Sequence, residues 1–296
     1  MIDIQDLITS IEQVFIDQDK YYFDDYIPEF MHEGKFLGDY YNRIMVEPRV
    51  GKPPIFYHTL SPFDVISNKS ITRALVFESA KCLLDVDFTD YLAMRTGVMS
   101  AIILKAIGVK NLKSKKVLLI GVGSVARHAL SALKRTFNDL DQVECISRSG
   151  SLGEITKYGQ QLGIDISTGN LDNLSEYDFI FCHTNTDKVI LTKEHKDHIK
   201  PGAVIASFLS STEHGEVDDS YFDASKANII CDWERTSGTV KDLGRALKNK
   251  QLTQGEILLL KDLLIGAKKI DSRKAYTIYR SGGTSIQNLA VLKLLT

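Results

Sequence analysis

The sequence predicts an α/β protein in which a helix-covered parallel sheet follows an antiparallel, β-rich region. Three observations carry this. Strand-like and helix-like stretches alternate from about Asp90 onward. Short β-rich runs divided by Gly, Pro, Asn and Ser, with no helices between them, fill residues 35–87. A strand, a glycine-punctuated turn and a helix succeed one another in "KKVLLIGVGSVARHALSALKR", Lys115 to Arg135.

The elements follow in order. "IQDLITSIEQVFIDQ" at 4–18 carries apolar side chains at helical spacing. "YYNRIMVEP", "PPIFYHTL", "ITRALVFES" and "KCLLDVD" read as strands, the last two as a hairpin around Glu78-Ser79-Ala80-Lys81. "DYLAMRTGVMSAIILKAIG" reads as one long helix closed by Gly108. "KVLLIG", "QVECISR", "GIDIST", "YDFIFCHT", "AVIASFLS" and "ANIICDW" read as parallel strands. "TQGEILLLKDLLIG" and "GTSIQNLAVLKLL" read as helices, and periodicity alone leaves open whether the last returns to the first region.

A chain of 296 residues corresponds to about two domains. Hydrophobic residues at 44% and charged residues at 25% are an ordinary globular balance. A formal charge of −2 with no long basic run makes nucleic acid and acidic membrane surfaces poor partners. The acidic, amphipathic N-terminus is unlike a signal peptide, and no apolar run is long enough for a membrane span. Cys82, Cys145, Cys182 and Cys231 lie far apart in apolar, strand-like surroundings, which suits reduced core thiols. A cytoplasmic location is therefore expected. No cysteines or histidines cluster at metal-ligand spacing, and no metal is expected.

The glycine turn is the sharpest chemical signal. In Gly121-Val122-Gly123-Ser124-Val125-Ala126, Gly121 permits a tight turn and Gly123 lets a pyrophosphate approach the backbone. Ala126 lets helix and strand pack closely, and the helix N-terminus offers free N–H groups to phosphates. The alternative is a glycine turn with no ligand. The next strand ends in Ser147-Arg148-Ser149 rather than the Asp or Glu that receives a ribose 2′-hydroxyl. A hydroxyl and a guanidinium there suit a 2′-phosphate, which favours NADP over NAD. His183, Thr184 and Asn185, in "HTNT", end another strand at the edge where open α/β sheets bind ligands.

From "DYLAMRTGVMSAIILKAIGVKNLKSKKVLLIGVGSVARHAL" through "YDFIFCHTNTDKVIL", "PGAVIASFLS", "IICDWERT" and "YRSGGTSIQNLAVLKLL", the chain resembles the ornithine cyclodeaminase/mu-crystallin family. "CDW" and the segment around His214 look most like its amino-acid dehydrogenase branch. The resemblance implies an α+β substrate-binding and dimerisation domain from both chain ends, 1–95 plus 275–296. It also implies a Rossmann NAD(P)-binding domain over 96–274, with the active site between the two. The expected chemistry is hydride transfer between nicotinamide and the amino or imino carbon of a small amino acid, in a homodimer. Alternatives within the resemblance are a cyclodeaminase that recycles bound NAD and a non-catalytic NADP-binding protein.

Arg95 matches the family arginine that clamps the substrate carboxylate, a task suited to a permanently charged, bidentate donor. Its alternative is a structural ion pair, for instance to Asp90. Thr96 would cap the helix or touch a phosphate. Lys52 falls where the family places a catalytic lysine that polarises an imine or carries a proton. Pro53 and Pro54, however, follow where the family continues as a strand, so a loop lysine is the competing reading. Arg43 and Arg49 are alternatives for anionic substrate groups. Ser210 or Ser211 stands where the cyclodeaminases carry an Asp, which weakens the lyase reading; Glu213 and His214 lie just beyond, and His214 is a candidate acid, base or substrate contact. Ser281, Gly282 and Gly283 match a family segment on the nicotinamide side, and Gln287-Asn288 stands where the family often has an acidic pair.

Overall fold

The structure is a computed structural model that describes residues 2–26, 29–32, 35–39, 41–61, 63–64, 69–70, 72–184, 186, 188–208, 215–236 and 240–296. It divides into two compact units, 1–95 with 284–296, and 96–283.

In the first unit, α1 (Ile4–Ile16) starts at Asp3, whose carboxylate accepts from Gln5 N at 2.8 Å. Leu7, Ile8, Ile11, Val14 and Phe15 repeat at helical spacing and form its buried stripe. Among the described residues, β1 (Tyr22–Tyr26), β4 (Tyr41–Arg49), β5 (Lys52–Ser61), β8 (Arg73–Glu78) and β9 (Lys81–Asp87) make an antiparallel sheet in the order β1-β4-β5-β8-β9. Two small hairpins, β2 (Glu29–His32) with β3 (Lys35–Asp39) and β6 (Phe63–Asp64) with β7 (Lys69–Ser70), accompany it. The β8–β9 hairpin turns at Ser79, which takes φ +55°. The two prolines do not prevent β5. They fall where the β4–β5 register shifts, and the β8 ladder begins only at Ile55, so few ladder donors are lost.

The C-terminal helix α9 (Ser285–Leu295) packs against α1 and across β1, β4 and β5. Ile286, Leu289, Ala290, Val291 and Leu292 are all buried, as expected of a core helix apolar on several faces. Lys293 Nζ donates to Glu47 Oε1 at 2.9 Å and Tyr57 OH donates to Glu47 Oε2 at 2.8 Å, which ties its last turn to the sheet.

In the second unit, the expected long helix is interrupted. Residues Thr89–Gly97 (α2) and Met99–Ala106 (α3) are separate segments, with α2 ending just inside this unit. Ala101 N bonds Val98 O at 3.1 Å, a local tightening at the break. Gly97 faces α4 (Ser124–Thr136) so closely that a Cβ would lie 2.6 Å from Val125 O. Gly108, at φ +89°, closes α3 as expected.

The parallel strands are β10 (Val117–Ile120), β11 (Gln142–Ile146), β12 (Asp165–Thr168), β13 (Phe179–Cys182), β14 (Ala203–Ser207), β15 (Ala227–Cys231), β16 (Ile257–Leu259) and β17 (Tyr276–Arg280). Their order is β12-β11-β10-β13-β14-β17-β15-β16. The central strands are buried on both faces, which explains their continuous apolar runs. Covering helices include α5 (Gly153–Gln161), the short α6 (Lys193–Lys196), α7 (Lys241–Lys248) and α8 (Leu260–Leu264). Two expectations change. "TQGEILLLKDLLIG" is not one helix, because Ile257–Leu259 pairs with β15 at the sheet edge, between a 3₁₀ turn at Gln254–Glu256 and a five-residue α-helix. Residues 275–283 belong to the parallel sheet unit, because β17 inserts between β14 and β15. Among the described residues, no helix is long and apolar enough to cross a membrane, and no group of His, Cys, Asp or Glu is placed to hold a metal.

Candidate functional site

The order of strands reverses between β10 and β13: β11 and β12 lie on one side, β14 and β17 on the other. Ligands of open α/β sheets bind at the carboxyl ends of strands at such a point. Gly121, Val122 and Gly123 leave β10 there, and His183 and Thr184 leave β13.

The two glycines are required for different reasons. Gly121 takes φ +100°, and a Cβ on it would run into the His183 carbonyl. Its N–H donates to Ile146 O at 2.9 Å, which locks the turn to β11. Gly123 is the N-cap of α4, makes no side-chain cap, and has nothing within 4 Å of where a Cβ would stand. Ser124 is exposed, Val125 half-buried and Ala126 fully buried. An open space beside a glycine at an uncapped helix N-terminus fits a dinucleotide pyrophosphate. Ser147 and exposed Arg148 follow β11, and Ser147 Oγ lies 3.0 Å from Ser149 Oγ.

Buried carboxylates hold the neighbouring strand ends. Glu216 accepts from Thr184 N at 2.8 Å, Thr184 Oγ1 at 2.6 Å, Ser207 Oγ at 2.9 Å and Phe208 N at 3.1 Å. Burial raises its pKa, against the opposing pull of these donors. Asp232 accepts from Tyr279 OH, from Ser281 Oγ at 2.8 Å and from Gly282 N at 2.9 Å. Arg280, 1% exposed, donates through Nε to Asp242 Oδ2 at 2.8 Å and through Nη1 to Ser281 O at 3.0 Å. Ser281 and Gly282 are thus fixed from below, while Gly283 turns the chain at φ +63°. Sequence reading missed Glu216, Asp232, Asp242 and Arg280. Asp232 and Arg280 each end an apolar run, whereas Glu216 and Asp242 stand among other charges and carry no such signal.

His183 stacks on Phe208, ring centroids 4.5 Å apart, and more distantly on Phe181. Its Nε2 lies 3.1 Å from Ser100 Oγ of α3. Burial lowers its pKa to about 3, so the ring is neutral.

The first unit gathers another group. Arg95, 6% exposed on α2, donates through Nη1 to Gln287 Oε1 of α9 at 2.6 Å. Thr96, half-buried, follows it as the first residue of the second unit. Asn288 Nδ2 donates to Thr59 Oγ1 at 3.1 Å. Arg43, 6% exposed, is the register partner of Thr59, and such pairs share one sheet face. Arg43 therefore lies on the face covered by α9. Lys52 is not brought to this group. It is exposed where β5 begins, paired in register with Arg49, which donates to Pro53 O and Glu78. Asn185, Ser210, Ser211, Glu213 and His214 lie outside the described residues.

A sequence profile of the ornithine cyclodeaminase/mu-crystallin family matches residues 78–296. No curated protein matches the chain. Among solved structures, the chain is similar to the iminosuccinate reductase of Paracoccus denitrificans in complex with NAD+. The TM-score is 0.81 at 19% identity, covering 99% of this chain and 91% of that one. It is similar to the Thermococcus litoralis Δ1-pyrroline-2-carboxylate reductase in complex with NADH and L-proline, with TM-score 0.80, 20% identity, and 99% and 92% covered. An archaeal alanine dehydrogenase dimer with bound NAD gives TM-score 0.79 at 20% identity, with 99% and 91% covered. At these identities the likeness is one of fold.

Proposed function

The chain belongs to the ornithine cyclodeaminase/mu-crystallin family, and on that premise we propose that it is an NAD(P)-dependent oxidoreductase acting at the C–N centre of a small amino or imino acid. The observation that carries this reading is the turn at Gly121–Ala126, with a first glycine at φ +100°, an open second one and an uncapped helix behind them. A nicotinamide dinucleotide bound there supplies hydride chemistry. The solved structures with NAD+, NADH or NAD bound support this choice of cofactor class. Gly121, Val122, Gly123, Ser124 and Val125 would hold the pyrophosphate, and Ser147 with Arg148 would receive a 2′-phosphate, favouring NADP.

Arg95 grips the substrate carboxylate: its charge is permanent, and its bond to the amide of Gln287 helps to fix its orientation. Arg43 is a second candidate for anionic groups of the substrate. The protein works as a homodimer in the cytoplasm. Exposed Ile44 and Phe56, on the sheet face opposite Met45 and Tyr57, are an apolar surface for a second copy.

Fluorescence titration with NADH and NADPH, followed by 2-oxo acids with amines, tests the reading. Steady oxidation of the reduced cofactor is expected. Ammonia release without net redox change would replace it with a cyclodeaminase. One observation favours a non-catalytic NADP-binding protein instead: Lys52, the candidate for carrying the proton, is exposed at the start of β5. Tight cofactor binding without turnover across amino and imino acids would establish that reading.

A further inference from the structure

We infer that the first turn of α9, together with Arg95, is an anion-binding patch that takes the carboxylate of a 2-amino or 2-imino acid directly. Thr284, Ser285 and Asn288 would touch the ligand. The inference rests on the proposed substrate class and deepens it.

The helix is long enough to have a well-developed positive end, running from Ser285 to Leu295. Its N-cap, Thr284, makes no side-chain capping bond. Thr284 Oγ1, Ser285 Oγ and Asn288 Oδ1 are buried and have no hydrogen-bond partner among the described residues. These residues are 4%, 0% and 1% exposed. Asn288 lies four residues from Thr284 and three from Ser285, so it neighbours both on the first turn. A buried polar atom without a partner is destabilising, and three close together mark a place that expects a polar guest.

The chemistry of the guest follows from the donors. The uncapped helix end offers backbone N–H groups, the two hydroxyls can donate, and Arg95 donates from beside Gln287. Such a set suits a carboxylate. Asn288 Nδ2 is spent on Thr59 Oγ1, which leaves Oδ1 as an acceptor among donors. That acceptor suits an N–H next to the carboxylate, as amino and imino acids carry. The hydroxyls are covered here, so the ligand must displace their present neighbours, and the partners gained by the bare polar atoms offset that cost.

The test uses the full chain with NADP+ present and oxalate as the carboxylate probe, by isothermal titration calorimetry. Gln287→Glu, nearly isosteric, places a carboxylate beside Arg95 and is expected to raise the oxalate Kd tenfold or more. The pair Thr284→Val with Ser285→Ala is expected to do the same, while Thr284→Ser keeps wild-type affinity. Cofactor Kd should stay unchanged in all of them, and the thermal midpoint should not fall in the Thr284→Val, Ser285→Ala pair. No oxalate binding to the wild type, or equal affinity in every variant, would overturn the inference. If oxalate binding follows the variants but no amino or imino acid is turned over, the patch stands and the proposed function fails. If turnover occurs with KM indifferent to these variants, the function stands and the patch is lost.

Discussion

Arg95 Nη1 and Gln287 Oε1, 192 residues apart in the chain, meet at 2.6 Å inside the first unit. The pair joins the helix at the end of the antiparallel region to the C-terminal helix. It also helps to orient the guanidinium.

Arg95→Ala is therefore expected to lower kcat/KM by about 10²-fold or more, the scale of truncating a buried charged contact. NADPH affinity should change by no more than about twofold, since the proposed nucleotide contacts lie on other residues. Steady-state kinetics beside a fluorescence titration make the comparison. Equal losses in both would remove the carboxylate-clamp role.

The two turn glycines should separate stability from binding. Gly121→Ala meets the His183 carbonyl and an unfavourable φ together, so a loss of more than about 2 kcal/mol is expected in urea unfolding. Gly123→Ala meets nothing within 4 Å and should unfold like the wild type. Its new methyl would occupy the space of the pyrophosphate, so cofactor Kd should rise by about tenfold or more. A Gly123 variant with unaltered cofactor affinity would refute the turn as a phosphate cradle.

Selectivity between cofactors should lie in Arg148. Its replacement by Ala is expected to weaken NADPH by about tenfold, the worth of one charge-assisted contact, and to leave NADH unchanged. Tighter binding of NADH than NADPH by the wild type would refute the reading of Ser147-Arg148.

His183 gives a pH signature. Its folded pKa of about 3 lies below its ordinary value of 6.5, so the unfolded chain binds the proton more readily. The stabilisation is present above pH 6.5 and is lost as pH falls toward 3, by up to about 1.4 kcal/mol per pH unit. Urea unfolding at pH 7, 5.5 and 4.5 should show a shallower acid loss in His183→Phe, whose ring can still stack on Phe208. Identical slopes would show that His183 does not carry this term.

Removing the Glu216 side chain in Glu216→Ala strands Thr184 N, Ser207 Oγ and Phe208 N together. A loss of several kcal/mol is expected, because each buried donor left bare costs about 1–3 kcal/mol. Differential scanning calorimetry reads it. A thermal midpoint near the wild-type value would show that the carboxylate is not what holds the ends of β13 and β14.

How much was legible depended on the range of the cause. The strands with continuous apolar runs, the hairpin at Ser79 and the turn at Gly121–Ala126 are each dictated by neighbouring residues, and the sequence shows them. "ILL" at 257–259 was misread as helix, because a short apolar run suits either state until a partner strand chooses. Pro53 and Pro54 argued against a strand, yet their position at a register shift made them harmless.

By itself, then, the sequence determined an alternating α/β unit, a glycine turn of the dinucleotide-binding kind, and an arginine whose place on an apolar helix demanded a partner. Only the tertiary structure decided that Gln287 is one such partner, that Glu216 and Asp232 fasten the strand ends, and that Lys52 stands at an exposed hairpin. Local backbone preferences act over a few residues and leave their mark in the sequence. A lone buried acid or amide carries no such mark, since its meaning comes from donors brought to it by distant parts of the chain.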